Sequence, residues 1–186
     1  MIVQTILWRR LDLPGFESSQ LISNPSSWVL KGGAVFLAEN APCRLTYRIE
    51  CDEDWRTREV TVEGWLGNEV IDLRLKHDGL GNWLLNEKEC PQVEGCLDVD
   101  LNFSPSTNLL PIRRLKLEPG REAEARAAWL RFPEFTLERL DQVYLRNGIN
   151  SYRYGSADGE FQAELEVNST GFVIRYADAW VAEAIA

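Results

Sequence analysis

The strongest constraint on this 186-residue chain is a period of two. Cys43, Leu45, Tyr47, Ile49 and Cys51 alternate with Arg44, Thr46, Arg48 and Glu50. Val60 and Val62 alternate with Glu59, Thr61 and Glu63, and Ile71, Leu73 and Leu75 with Asp72, Arg74 and Lys76. The same beat runs through 97–104, where Leu97, Val99, Leu101 and Phe103 are the apolar members, and through 161–167, where they are Phe161, Ala163, Leu165 and Val167. Successive side chains of an extended strand point to opposite faces, so this beat marks strands with one buried and one wet face. Turn signals punctuate it at Glu63-Gly64, Leu66-Gly67-Asn68, His77-Asp78-Gly79, Leu80-Gly81-Asn82, Glu118-Pro119-Gly120, Asn147-Gly148, Ala157-Asp158-Gly159 and Ser169-Thr170-Gly171. Asn-Gly and Asp-Gly supply the positive φ angles of tight hairpins.

An antiparallel meander of about ten or more strands follows from that spacing. Accumulated twist forbids such a sheet from staying flat. The expected fold is all-β or mainly β: a single strongly curved antiparallel sheet, half-closed, with little helix, forming one domain over 1–186. No repeat or linker divides the chain. Arg121–Arg131 favours helix by its Ala, Glu and Arg content but also alternates (Ala123, Ala125, Ala127 and Trp129), and its all-β neighbours favour strand.

Charge removes several function classes. Twenty Lys and Arg against 29 Asp and Glu leave a net charge of −9. A nucleic-acid binder needs a basic footprint, so no nucleic-acid partner is expected. Adhesion to anionic membranes is disfavoured on the same ground. No apolar run reaches the roughly 20 residues of a membrane span, so no stable membrane insertion is expected. The first residues carry their arginines after a short apolar stretch, the reverse of a secretion signal, and a cytoplasmic location is expected. In that compartment Cys43, Cys51, Cys90 and Cys96 stay reduced. Their spacing matches no zinc site, and they read as small buried thiols. No phosphate loop, dinucleotide fingerprint, nucleophile elbow or metal-binding helix occurs, so no cofactor, no metal and no catalytic residue is assigned. The single histidine, His77, reads as an exposed turn residue.

Parity also finds charges on apolar faces. Continuing the Val60/Val62 frame backwards places Arg58 and Arg56 inward, and the frame of Leu115 and Leu117 places Arg113 inward and Arg114 outward. A β-bulge in between would reverse either assignment. Asp98, Asp100 and Asn102 share one strand face, and Asp52 and Asp54 lie beside the arginines. A buried guanidinium needs carboxylate partners. Such a cluster is either an internal salt-bridge network or a polar ligand pocket. Seven Trp, among them Trp55, Trp65, Trp83 and Trp129, together with Tyr152 and Tyr154, add flat rings. Rings beside carboxylates are what sugar recognition uses, and rings also fill cores.

Two stretches carry a resemblance: Cys43–Arg58 (CRLTYRIECDEDWRTR) and Gly95–Leu115 (GCLDVDLNFSPSTNLLPIRRL). With Trp8-Arg9-Arg10-Leu11 and Tyr152-Arg153-Tyr154 they make the chain similar, over nearly its whole length, to the bacterial family named Putative glycolipid-binding, once a domain of unknown function. The resemblance implies a spiral β-roll related to the periplasmic lipoprotein carriers, although this sequence shows neither their secretion signal nor their lipid-anchoring Cys. It assigns no catalytic residues. The positions matching its motifs are Asp52, Trp55, Arg56, Arg58, Asp98, Asp100, Asn102, Asn108 and Arg113.

Three functions follow. The first is binding of an amphiphilic, glycolipid-like ligand inside the curved sheet, with a role in glycolipid metabolism or transport. Its expected ligand residues are those nine together with Tyr152 and Tyr154. The second is an enzyme on a glycolipid or related metabolite with Asp98 or Asp100 as acid or base. The third is a non-catalytic scaffold in which the polar cluster is structural. The oligomeric state is left open.

Overall fold

The computed structural model describes residues 1–156 and 159–186; the turn expected at Ala157-Asp158-Gly159 falls partly outside the described residues. The first half of the chain forms β1 (Ile2–Arg10), β2 (Gly15–Asn24), β3 (Ser27–Ala38), β4 (Ala41–Asp52), β5 (Thr57–Leu66), β6 (Glu69–His77), β7 (Trp83–Leu85) and β8 (Lys88–Glu89). The second forms β9 (Asp98–Leu101), β10 (Glu122–Leu130), β11 (Leu137–Arg146), β12 (Ser151–Ser156), β13 (Phe161–Val167), β14 (Val173–Tyr176) and β15 (Trp180–Ile185). All belong to one sheet in the order 8-7-6-5-4-3-2-1-15-14-13-12-11-10-9, not closed into a barrel. Two meanders thus run outward from a central β1–β15 pair, and the expected mainly-β, strongly curved sheet is what forms. The ambiguous 121–131 segment is strand β10. Its parallel pairing with β9 is the one departure from the antiparallel pattern.

The sheet rolls until its ends overlap. Thr57, at the start of β5, donates its N–H to Leu97 O at 3.0 Å, and its Oγ1 accepts the Val99 N–H at 3.1 Å. The tip of one arm therefore docks on the middle of the other. Strand β9 is covered on both faces: Val99 and Leu101 join the core built by β1–β7, while Asp98 faces the opposite way and is also buried.

The inner volume is occupied by the chain itself. A 3₁₀ turn (Pro105–Asn108) and helix α1 (Leu109–Leu115) sit between the arms. Leu109 and Leu110 pack into the first arm's core, and Ile112 into the second core with Tyr144, Tyr152, Tyr154, Leu165 and Val167. The strand reading of Leu115 and Leu117 is corrected here. Pro105 at the first turn position and the Ser104 Oγ accepting the Ser106 N–H at 3.1 Å start a helical path, which ends at Lys116 with φ 49°.

Other turn signals also read differently in place. Glu63-Gly64 lies inside β5; a Cβ on Gly64, at φ +150°, would fall 2.0 Å from Arg44 O, so the glycine serves close strand approach. His77 is the last residue of β6 and is buried, not exposed. It stacks on Trp83 at 4.7 Å, and its Nδ1 lies 2.7 Å from Thr57 O. Asp78 makes the turn instead, its Oδ1 accepting the N–H groups of Leu80, Gly81 and Asn82. All four cysteines are buried free thiols.

A buried carboxylate pins the inner segment to the sheet. Glu17 on β2 accepts hydrogen bonds from Tyr47 Oη at 2.7 Å and Ser104 Oγ at 2.6 Å, and Ser106 Oγ completes the cluster 2.7 Å from each of those hydroxyls. Glu17 Oε2 is buried with no partner. Burial pushes the carboxyl up to about 7, against the hydrogen bonds and the Arg10 charge. Because the folded value lies above the unfolded one, the favourable contribution is complete below about pH 4.5 and is lost as pH rises through about 7. We expect wild-type stability to fall by about 3 kcal/mol across that window from this group. Glu17→Gln keeps an acceptor for Tyr47 and Ser104, should remove that slope, and should exceed the wild type in stability at pH 8. Urea unfolding of both proteins at pH 5 and pH 8 checks this.

Candidate functional site

The inner face of the second arm carries a tier of polar groups. Strand β9 supplies Asp98 and Asp100, β11 supplies Gln142 and Tyr144, β12 supplies Tyr154, and the 3₁₀ turn supplies Asn108. Their frames agree because Ala125 pairs with Gln142, and Tyr144 with Tyr154. Alanines on β10 (Ala123, Ala125, Ala127) leave room for long polar side chains from its neighbours.

The tier has a closed and an open end. At the closed end Asp98 is fully buried and takes a bidentate contact from Arg114, with Nε to Oδ1 at 3.1 Å and Nη2 to Oδ2 at 2.5 Å. Burial raises the Asp98 carboxyl while the guanidinium pulls it down. Burial works against the Arg114 charge, but the same contact raises it. Beside them Tyr144 Oη donates to Asn108 Oδ1 at 3.0 Å. At the open end Asp100 is half-buried. Its Oδ2 accepts from Gln142 Nε2 at 2.8 Å, and the same amide nitrogen lies 3.1 Å from Tyr154 Oη. Gln142 Oε1 is buried with no partner among the described residues. Loss of solvation pushes the Asp100 carboxyl up to about 6, with Gln142 opposing and the Asp98 charge assisting.

Aromatic rings wall the open end. Tyr154, Phe161 and Tyr176 lie 6.0–6.4 Å apart, centroid to centroid. Phe161 is 48% exposed. Trp129, the partner of Asp100 in the β9–β10 register, is half-buried with Arg131 over its ring at 5.2 Å. A half-open carboxylate framed by ring faces is an arrangement that can take hydroxyl protons and stack on C–H faces at once.

The other expected residues fall elsewhere. Arg56 and Arg58 do not point inward. A bulge sets Cys51 opposite Thr57 and Glu50 opposite Glu59, which turns the frame over between Val60 and Thr57. Thr57 takes the inner position. Arg58 Nη2 bonds Asp52 Oδ2 at 2.6 Å, and Arg56 lies 3.6 Å from Asp54 at the surface. Asp52 Oδ1 caps the turn by accepting the Asp54 and Arg56 N–H groups. Trp55 is buried, stacked on Trp28 at 4.4 Å. Arg113, on the helix rather than a strand, lies over the Trp55 ring at 5.0 Å, and it is Arg114, expected outward, that pairs with the buried carboxylate. Asn102 leaves the Asp98/Asp100 face because β9 ends at Leu101; it is exposed and accepts the Phe132 N–H. Tyr152 is buried in the second core, with Arg146 over its ring at 5.7 Å. Of the expected residues, then, Asp98, Asp100, Asn108 and Tyr154 meet in one tier. Glu17, Gln142, Phe161 and Tyr176 were not singled out. The frames of Leu21 and Tyr144 would have placed Glu17 and Gln142 inward.

A rolled sheet with a plugged interior, and a half-buried aspartate bonded beside a cluster of aromatic rings, defines a class of β-roll proteins rather than an open apolar barrel. The chain belongs to the family described as Putative glycolipid-binding, whose model matches residues 5–182. It is similar to the crystal structure of a DUF1089 family protein from Pseudomonas aeruginosa, with 33% identity and a TM-score of 0.77, covering 87% of this chain and 88% of that one. No curated protein matches it. Among the described residues no helix is long and apolar enough to cross a membrane.

Removing Arg114 would leave Asp98 buried and uncompensated. Arg114→Met should destabilise the protein by about 3–5 kcal/mol, and adding Asp98→Asn should recover much of that loss. Urea unfolding of the single and double variants checks the pair.

Proposed function

We propose that the chain binds a glycolipid-like amphiphile through its carbohydrate head, at the open end of the second arm. The head rests against Phe161 and Tyr176, and its hydroxyls donate to Asp100 and exchange hydrogen bonds with Tyr154 and Gln142. The observation that carries this reading is the Asp100–Gln142–Tyr154 group: Asp100 is half-buried, the buried Gln142 amide bonds it, Tyr154 packs with Phe161 and Tyr176, and Gln142 Oε1 has no partner among the described residues. An unpaired buried acceptor costs about 1–3 kcal/mol, a deficit that an entering donor can remove. The family's description supports the same class of ligand. The filled interior argues against the acyl chain being swallowed between the arms, so recognition here is of the head.

A second reading has one observation in its favour. A carboxyl pushed up to about 6 is suited to general acid–base chemistry near neutral pH, so Asp100 is the residue on which an enzyme acting on a glycolipid or related metabolite would turn. Asp98, locked to Arg114, is not free for that role.

Calorimetric titration with octyl glucoside, octyl galactoside and free maltose, all below micelle formation, tests the binding reading. Saturable binding of at least one sugar-headed probe, weakened at least tenfold by Asp100→Asn and by Phe161→Ala, is the expected result. Absence of binding to all of them, or equal binding by the variants, overturns it. Release of the sugar from a bound probe, lost in Asp100→Asn while binding persists, would move the assignment to the enzyme.

A further inference from the structure

The outer face of the first arm carries a trough of about 780 Å³ that the recess described above does not use. It lies across the end of β15 and β1–β4, and the strand registers lay out its chemistry row by row. One row runs Thr5, Gln20, Lys31, Arg48. The next, two residues along each strand, runs Leu7, Ser18, Gly33, Thr46. A third row continues as Arg9, Phe16, Val35, Arg44 and on to Trp65 and Val70. Successive rows stand about 7 Å apart at ordinary strand rise. Along the strands the surface therefore passes from the Lys31 and Arg48 cations, across small and hydroxylated residues, to the apolar Phe16 and Val35, which Arg9 and Arg44 flank.

Two features of these rows have no structural explanation. Lys31 and Arg48 stand directly opposite each other on neighbouring strands. Like charges in that relation destabilise a sheet. Among the described residues they are the only charged side chains lining the trough, which Ala184, Ile185 and Ala186 line as well, in a protein of net charge −9. Arg48 shares part of its guanidinium with Glu50, through Nε at 3.1 Å and Nη2 at 2.5 Å, and among the described residues no carboxylate pairs with Lys31. An anion seated between the two cations would turn their repulsion into attraction. The second feature is the apolar row. Phe16 is 51%, Val35 58% and Val70 84% exposed, on a sheet face that nothing among the described residues covers.

We infer that this trough is a second binding site, for an amphiphile with an anionic, phosphate-like head. The head sits between Lys31 and Arg48 with hydroxyl help from Ser18 and Thr46. The tail crosses Gly33 onto Phe16 and Val35. Gly33 is what keeps the passage open: it lies in the floor, and a Cβ added there meets nothing closer than 3.5 Å, so the fold does not demand a glycine. Its neighbour Gly32 is different, since a Cβ there would fall 2.5 Å from Tyr47 Oη on the inner face. The site lies on the opposite face of the sheet from Glu17 and on the other arm from Asp100, so it is independent of the sugar-head reading.

The test titrates wild type, Gly33→Val, Lys31→Gln and Asp100→Asn with dodecyl phosphate below micelle formation, with inorganic phosphate, and with dodecyl maltoside. Calorimetry and thermal unfolding are the readouts. Wild type and Asp100→Asn should bind dodecyl phosphate saturably and equally, at least tenfold tighter than inorganic phosphate and tighter than dodecyl maltoside. Gly33→Val should keep or raise the ligand-free melting temperature, as a β-branched residue in a strand does, and lose at least tenfold in affinity; Lys31→Gln should lose a similar factor. Inorganic phosphate binding as tightly as dodecyl phosphate would mean a free-anion site and overturn the amphiphile assignment. Unaltered binding in Gly33→Val and Lys31→Gln, or no saturable binding by wild type, would overturn the site itself. A loss confined to Asp100→Asn would place the ligand in the other recess.

Discussion

The structure depends on carboxylates that hold a polar segment inside a rolled sheet. Residues 102–117 carry backbone amides, hydroxyls and two arginines into a space that would otherwise be apolar. Unpaired, those groups would oppose burial. Glu17 gathers the hydroxyls of Tyr47 and Ser104, which Ser106 links, Asp98 takes Arg114, and Asn108 accepts from Tyr144. Each contact joins the inner segment to a different wall: Glu17 to the first arm, Asp98 to the strand where the arms overlap, Tyr144 to the second arm. The roll is therefore held by an inner strut as well as by hydrogen bonds between strands.

That strut decides where ligands can go. A curved sheet with nothing inside would offer an apolar channel, whereas this one offers a recess at one end of its inner face and a surface outside. The same polar tier accounts for both ends of the recess. Where a carboxylate meets a guanidinium, at Asp98, it is committed to structure. Where it meets only an amide, at Asp100, it has no countercharge and keeps partial contact with solvent. Two aspartates of one strand, two residues apart, are thus driven to different roles by what faces them.

Much of this was legible from alternation. Period-two patterning located β4, β5, β6 and β13, and favoured strand over helix at β10, where composition alone pointed the other way. It failed where the backbone stops being regular. The bulge between Cys51 and Thr57 inverted the frame of Arg56 and Arg58, and nothing in their side-chain pattern announces it. Asn102 shares the parity of Asp98 and Asp100 but lies one residue past the strand's end. Arg113 and Arg114 exchanged roles because a helix turns about 100° per residue where a strand turns 180°. Other inner polar residues escaped notice for a different reason: Glu17 on β2 and Gln142 in the tier interrupt the very apolar pattern used to find strands. His77 was misplaced because a Gly-rich turn follows it; the strand runs one residue further than the turn signal implies, and Trp83 covers the ring.

The adjacent glycines of β3 separate structure from function within a single dipeptide. Their side-chain positions fall on opposite faces, as strand geometry requires. Gly32 is required from inside, because Tyr47 must reach Glu17 and its hydroxyl occupies the space a methyl group would take. Gly33 faces out, at a position where strand propensity favours a branched side chain and the backbone would accept one. Folding explains the first and leaves the second without a reason. A residue that costs strand propensity without relieving any contact is best understood by what must pass over it, and here that surface connects two facing cations, one of them shared with Glu50, to the exposed Phe16 and Val35.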